Sequence, residues 1–131
     1  MHRRLGAVSK ALELLVSDWL TLPDVAERLG ESISHVRGLV DTRALIGVKR
    51  GDRSVFQVPD AFLIDSADGS GLMEVLPTLC GTAILLADQG FTDAETLEWL
   101  FTPDDALGTT PVEALRCGRR AEVRRIAQAL N

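Results

Sequence analysis

The chain has 131 residues, a net charge of −5 and 46% hydrophobic residues, enough for one ordinary domain or two small ones. It contains no run of about 18 apolar residues, so we expect neither a membrane span nor a signal peptide and predict a cytoplasmic protein. Cys80 and Cys117 lie far apart and the histidines are His2 and His35, which excludes the usual zinc spacings. We predict no metal, no cofactor and two buried free thiols.

The basic residues are concentrated in one part of the sequence. Residues 28–53 contain six basic and three acidic side chains, whereas no lysine or arginine lies between Arg53 and Arg116. Residues 66–115 contain nine acidic side chains. The first region would attract a polyanion and the second would repel it. Nucleic acid is therefore a candidate partner in spite of the negative total charge.

The first element is predicted to be a helix that ends near Leu20. Apolar residues recur along it at intervals of three and four: Leu5, Val8, Leu12, Leu15 and Trp19. The spacing also fits two heptads of a coiled coil, through which the chain could dimerise. Because two heptads are too short to establish a coiled coil, we favour packing of this helix on its own domain.

A helix-turn-helix is predicted to follow. Thr21 can cap a short helix, Gly30 can end it in the left-handed conformation, and Ser32 can cap the next helix. Apolar residues recur at helical spacing in that second helix: Ile33, Val36, Leu39 and Val40. Two short helices joined by such a turn present the second helix to the major groove of DNA.

The outward side chains of the second helix are the predicted DNA contacts. Arg37 could reach guanine or phosphate, Ser34 suits phosphate, and His35 could do either. The alternative is that these side chains are merely solvated. We favour DNA contact because the helix-turn-helix framework and a basic hairpin accompany them.

The hairpin is predicted around Gly51 and Asp52, in the segment IGVKRGDRSVFQVP. A two-residue turn there would place Lys49 beside Ser54 and Arg50 beside Arg53 at the tip. Like charges directly opposite each other repel unless an anion lies between them, which favours a wing that grips phosphate. The alternative is a hairpin edge made basic to prevent aggregation.

A flexible linker, DSADGSG at residues 65–71, is predicted to divide the chain. We expect a DNA-binding domain at residues 1–64 and a helical domain at residues 72–131. Thr92 and Thr110 can each cap a helix of the second domain, and a basic helix ends the chain.

Two features of the second domain leave alternatives open. Trp99 and Phe101 could form an exposed protein-binding patch, but we favour core positions because a domain of about 60 residues has few large side chains to spare. The arginines from residue 116 onward could neutralise the acidic surface, favour the end of their helix or add a DNA contact; the first two are simpler.

Residues 20–63 resemble the winged helix-turn-helix of excisionase-like and MerR-like DNA-binding proteins. The resemblance is carried by LTLPDVAERLG, by the apolar spacing of the second helix, and by VKRG followed by VP and FL. The sequence departs from that pattern at Glu31, which replaces an apolar turn residue, at Arg43, where a helix-ending glycine is common, and in a wing about two residues longer. The resemblance implies a fold that binds DNA.

The segment EWLFTPDDALGTTPVEALRCGRRAEV is similar to the C-terminal helical domain of an actinobacterial family of winged-helix DNA-binding proteins. It is more distantly similar to the toxin-binding domain of Xre/MbcA/ParS-type antitoxins. The first similarity implies an accessory domain and the second implies a protein partner.

We therefore expect a mainly α protein: a winged helix-turn-helix with a small β-hairpin wing plus a C-terminal helical domain. The expected function is binding of double-stranded DNA, with homodimer formation or a protein partner through the second domain, and transcriptional regulation. The predicted contacts are Ser34, His35, Arg37, Lys49, Arg50, Arg53 and Ser54. The alternative is an antitoxin-like or other protein-binding module. No catalytic motif is recognisable, so we do not expect an enzyme.

Overall fold

The computed structural model describes residues 10–130, which combine seven α-helices with five short strands. The helices are α1 Lys10–Leu15, α2 Leu22–Leu29, α3 Ile33–Asp41, α4 Leu79–Asp88, α5 Asp93–Phe101, α6 Pro111–Arg116 and α7 Arg120–Gln128. The strands are β1 Trp19–Thr21, β2 Val48–Arg50, β3 Val55–Pro59, β4 Leu63–Asp65 and β5 Met73–Val75, with a 3-10 turn at Asp60–Phe62. The expected mainly α fold is therefore approximate, because strands contribute two small antiparallel sheets.

The first helix ends earlier than the sequence predicts. It ends at Leu15, and Trp19–Thr21 form a strand that pairs with β3 in the register Trp19 to Pro59. Of the predicted apolar residues, Leu12 is buried and Leu15 and Trp19 are partly buried, while Val16, which the spacing did not include, is also buried. The spacing cannot locate the helix end, because β1 is stabilised by pairing with a distant segment. Leu5 and Val8 lie outside the described residues.

The helix-turn-helix forms where local signals predict it. Thr21 Oγ1 accepts from the Asp24 amide at 3.3 Å, and Asp24 accepts from the Thr21 amide, which makes a capping box. Gly30 ends α2 with φ of 70°. Ser32 Oγ accepts from the His35 amide at 3.0 Å and caps α3. The start of each helix is thus fixed by its own sequence.

The wing is one edge of a three-stranded antiparallel sheet of order β1, β3, β2. Arg50 pairs with Val55 and Lys49 with Phe56, so a four-residue connection, 51–54, replaces the predicted two-residue turn. The predicted pairing of Arg50 with Arg53 is wrong. Ser54 takes a positive φ of 53°, a conformation usually left to glycine or asparagine, and this closes the longer loop.

The segment predicted as a flexible linker connects the two strands of a β-hairpin. Leu63 pairs with Val75 and Asp65 with Met73, and between them Asp68 accepts a hydrogen bond from the Ser70 amide at 2.9 Å. The segment 65–71 is short, mostly polar and mostly exposed, as expected. Its two ends are held together because β4 pairs with β5. The division into domains at residues 64 and 72 stays a prediction.

One apolar cluster extends through both halves of the described chain. It includes Val36, Leu45 and Phe62 from residues 10–64 together with Leu79, Leu97 and Val123 from residues 72–130. Phe62 is fully buried, and its ring lies 5.8 Å from that of Phe101 across the halves. Trp99 and Phe101 are partly buried against this cluster.

Two arginines link the halves by polar contacts. Arg43, at the end of α3, donates to Asp93 at 2.7 Å, and Arg116 donates to the carbonyls of Ala61 and Leu63 at 2.6 and 2.9 Å. We call the contact formed by Arg43, Phe62, Asp93, Phe101 and Arg116 the seam. The helix-turn-helix and the helical half are packed together through it.

The helices of the second half begin at the predicted caps. Thr92 and Thr110 accept hydrogen bonds from the Glu95 and Glu113 amides, and Gly118 has a positive φ. Both cysteines are free thiols, but only Cys80 is partly buried; Cys117 is exposed, contrary to prediction, because it ends α6 rather than lying within it. None of the helices described between residues 10 and 130 has the length and apolar composition needed to cross a bilayer.

Candidate nucleic-acid interface

The outward side of α3 is open along its whole length. Val36 points inward and is fully buried, whereas six residues of the same helix are exposed: the apolar Ile33 at its start and five polar or small residues. We call these five the reading face: Ser34, His35, Arg37, Gly38 and Asp41. The sequence therefore predicted the exposed polar residues of this helix correctly, whereas Ile33, predicted on the apolar side, is also exposed.

Gly38 leaves open space in the middle of the reading face, because it has no side chain. A β-carbon built at this position would meet no atom of the protein within 4 Å. The glycine is therefore not required by packing inside the protein, and its backbone can be approached closely from outside. Arg37 stands beside this gap with an exposed side chain.

Three of the four predicted wing residues are exposed. Lys49 lies on β2 with its side chain exposed, and Arg53 and Ser54 lie in the connection between β2 and β3. Gly51 has φ of 79°, which lets the chain turn at the tip. These side chains are available to an external partner.

Arg50, the fourth wing residue, is held by the protein itself. Its Nε donates to Glu13 at 3.1 Å and its Nη1 donates to Gln57 at 2.9 Å. Its guanidinium also lies 4.5 Å from the centre of the Trp19 ring, in a cation–π contact. The side chain is 22% exposed, so it fastens the wing to α1 and β1.

The six basic side chains of residues 28–53 therefore divide into two groups. Arg43 and Arg50 are engaged in ion pairs. Arg28, Arg37, Lys49 and Arg53 are exposed and form no ion pair within the described part of the chain. Arg28 lies on α2 and was not among the predicted contacts, although the count of basic residues in this region included it.

Acidic side chains interrupt this basic surface. Glu31 in the turn, Asp41 on α3 and Asp52 in the wing are all exposed. The surface is therefore a mosaic with a small positive excess rather than a uniform basic patch. A polyanion would have to meet the positive side chains in a defined orientation, which favours a specific fit over simple charge attraction.

The carboxyl of Asp60, directly after β3, has a perturbed pKa. Burial, and to a lesser degree the neighbouring carboxylate of Asp18, raises the pKa of Asp60 above its ordinary 3.8. Arg28 and Arg116 oppose that rise. Asp60 also donates its backbone amide to the Asp18 carbonyl at 3.0 Å, so the perturbed group joins β1 to the end of β3.

The described Asp, Glu, His and Cys side chains are dispersed rather than clustered. Among the described residues, no three Asp, Glu, His or Cys side chains come together as metal ligands would. Asp104, one of two adjacent carboxylates in the sequence, accepts from the Ala106 amide at 2.8 Å and so stabilises its own turn. The exposed side chains of α3 and the wing are suited to hydrogen bonding and ion pairing with a partner.

Comparison with known proteins gives a consistent result for both halves. Residues 7–63 match the family described as DNA-binding protein Rv2175c, wHTH domain, and residues 76–131 match the Rv2175c C-terminal domain of unknown function. DNA-binding protein Rv2175c of Mycobacterium tuberculosis (strain ATCC 25618 / H37Rv) is 33% identical over 141 residues, covering 97% of this chain and 91% of the relative.

The similarity extends to the three-dimensional structure. The solved NMR structure of Rv2175c superposes with a TM-score of 0.72 at 28% identity, covering 98% of this chain and 97% of the other. These matches confirm the predicted winged helix-turn-helix with a C-terminal domain; the resemblances to excisionases, MerR proteins and antitoxins stay predictions. Over nearly its whole length, the chain belongs to the Rv2175c family of winged helix-turn-helix proteins.

Proposed function

We propose that the protein binds double-stranded DNA and regulates transcription, with α3 in the major groove. The observation that carries the proposal is that α3 is exposed on its outward side while its inward side is fixed in the core. The family supports it, since the relative is named a DNA-binding protein. Arg37 would contact a guanine edge or a phosphate, and Ser34 and His35 would contact phosphate or base edges beside it.

The wing would hold the backbone next to the groove. Lys49, Arg53 and Ser54 are exposed and can contact phosphate oxygens, and Arg28 can do the same from α2. Arg50 already contacts Glu13, Gln57 and Trp19, which favours a supporting role over a phosphate contact. Its contribution is to hold the wing in place.

Tight binding is expected to need two copies of the chain. Three or four phosphate contacts per copy give weak binding at physiological salt, because affinity falls with about 0.9 powers of salt concentration for each neutralised phosphate. Dimer formation would double the contacts and fix the spacing of two half-sites. A protein partner that also binds DNA would have the same effect.

The proposal is tested by fluorescence anisotropy of a labelled duplex titrated with the full chain at several salt concentrations. Arg53→Glu should weaken binding and lower the slope of log affinity against log salt by about 0.9. Arg125→Glu is the matched control, because Arg125 is equally an exposed arginine but lies on α7. It changes the total charge by the same amount and should change affinity less than twofold.

Two results would contradict the proposal. If Arg53→Glu and Arg125→Glu weaken binding equally, the duplex responds to total charge and the wing is not a contact. If no salt-dependent binding occurs to random or genomic duplex, and light scattering with the duplex shows no complex, DNA is not the partner. Stoichiometric co-purification of a protein bound to the helical half would then favour the antitoxin-like alternative.

A further inference from the structure

A second site candidate lies far along the chain from the reading face, between the beginnings of α4 and α7. A cavity of about 410 Å³ opens there. Its polar lining comes from the start of α4, with Thr78, Gly81 and Thr82, and from α7, with Arg120 and Arg124. No carboxylate lines the cavity, although residues 66–115 are acidic and contain no basic side chain.

Two helix N-termini point into this cavity from the same end. The first turns of α4 and α7 line it together, while at the other end Gln89 donates to the Ala127 carbonyl at 3.1 Å. The two helices therefore run in the same direction. Neither has a side-chain cap, so the positive ends of both helix dipoles are turned toward the cavity.

The two arginines add full charges on the same side of α7. Arg120 and Arg124 are separated by four residues and so project from one face of the helix. Both are exposed, and neither forms an ion pair within the described residues, whereas the neighbouring Arg119 is paired with Glu122 at 2.7 Å. Two guanidinium groups at helical spacing can hold one phosphate from two directions.

Two threonine hydroxyls in the cavity wall have no protein partner. Thr82 is 7% exposed, lines the cavity and forms no hydrogen bond through its hydroxyl within the described residues. The hydroxyl oxygen of Thr78 is fully buried and likewise lacks a partner. The Thr82 hydroxyl oxygen is not among the fully buried ones and can hydrogen-bond to a ligand in the cavity, whereas the Thr78 oxygen has no accessible surface.

We propose that this α4–α7 cavity binds a small molecule that carries a phosphate group, held by Arg120, Arg124 and the Thr82 hydroxyl. The positive helix ends, the unpaired arginines and the accessible Thr82 hydroxyl all favour a compact anion with several acceptor oxygens. The volume is in the range of small-molecule sites. The helical half would then be a ligand-sensing unit attached to the winged domain.

The surroundings favour a small anion over a segment of duplex. The nine acidic side chains of residues 66–115 would repel an extended polyanion that passed over the surface. A small phosphate ester carries about two negative charges and is compact enough to reach the Thr82 hydroxyl inside the cavity. The site is independent of the reading face, so it can exist whether or not the protein binds DNA.

The test is NMR titration of the full-length, isotopically labelled protein with inorganic phosphate, and separately with glycerol 3-phosphate, at constant ionic strength. We expect saturable shifts of the Gly81 and Thr82 amides. Arg124→Gln should weaken binding by about tenfold or more, because a charge-assisted hydrogen bond is lost. Thr82→Val, which keeps the shape of the side chain, should weaken it by a smaller factor.

Arg125→Gln is the matched control, since Arg125 is an exposed neighbour that does not line the cavity. It should leave the dissociation constant within about twofold. Retained dispersion of the amide spectrum shows that each variant is folded.

Three results would overturn the proposal. The first is the absence of saturable shifts with either phosphate compound. The second is an equal effect of Arg124→Gln and Arg125→Gln on the dissociation constant. The third is that duplex DNA shifts the same amides and that Arg124→Gln lowers the affinity for duplex. The last result would assign the cavity to nucleic acid. Because the phosphate titration contains no DNA, its outcome is separate from that of the proposed function.

Discussion

The reading face and the seam use the same residue type in opposite ways. Arg37 on the reading face is exposed and forms no ion pair within the described residues, whereas Arg43 and Arg116 at the seam are held by a carboxylate and by backbone carbonyls. An arginine that already has partners stabilises the fold, and one without them can bind another molecule. The number of arginines in this sequence therefore overstates its capacity to bind DNA.

The largest effect is expected when the buried aromatic ring at the seam is removed. Phe62→Ala should lower the free energy of unfolding by about 3–5 kcal/mol, because a fully buried phenylalanine is lost. Since one apolar cluster extends through both halves, we expect chemical denaturation to show one transition for the Trp19 and Trp99 environments. Two separated transitions in the unsubstituted protein would mean that the seam does not join the halves.

The polar part of the seam should have a smaller effect. Arg116→Met removes the donors to Ala61 and Leu63 and should lower the free energy of unfolding by about 1–3 kcal/mol. Arg125→Met, at an exposed position on α7, should change it by less than about 0.5 kcal/mol. Equal effects of the two substitutions in urea denaturation would show that Arg116 is an ordinary surface arginine.

The gap in the reading face predicts a loss of binding without a loss of stability. Gly38→Leu should keep or raise stability, because leucine favours helix by about 0.8 kcal/mol over glycine and its β-carbon would lie in open space. It should weaken duplex binding severalfold by filling space that the DNA would occupy. A stable variant with unchanged affinity in the anisotropy titration would place the DNA elsewhere.

The smallest effect is expected from the perturbed carboxyl of Asp60. The pKa of Asp60 is raised in the folded protein, so its ionised form costs stability once the pH exceeds 3.8, and the full cost is present above the folded pKa. Asp60→Asn should therefore raise the melting temperature slightly at neutral pH. The gain should vanish near pH 3, where both states are protonated. A larger gain at low pH would reverse the assigned sign.

The sequence predicted the features that depend on neighbouring residues. Thr21, Ser32, Thr92 and Thr110 each cap a helix as expected, and Gly30 has the expected left-handed conformation. Each of these requires only a hydrogen bond or a dihedral angle within a few residues. The exposed side of α3 followed from the same local periodicity.

The features that the sequence did not predict depend on contacts between residues that are far apart in the chain. Strand β1 exists because Trp19–Thr21 pair with β3, and Arg50 is engaged because Glu13 and Trp19 come near it in the fold. The four-residue connection of the wing includes Ser54 in the left-handed region, a conformation that serine rarely adopts. Counting residue types cannot reveal any of these contacts.

Arg43 is in the left-handed region, with φ of 65°, at the place where related turns often have glycine. The conformation costs an arginine about 1 kcal/mol or more in backbone strain, which a glycine would avoid. In return, its side chain reaches Asp93 at the start of α5. A tilt of α3 by itself would break that ion pair, so the orientation of α3 is governed in part by its contact with the helical half of the protein.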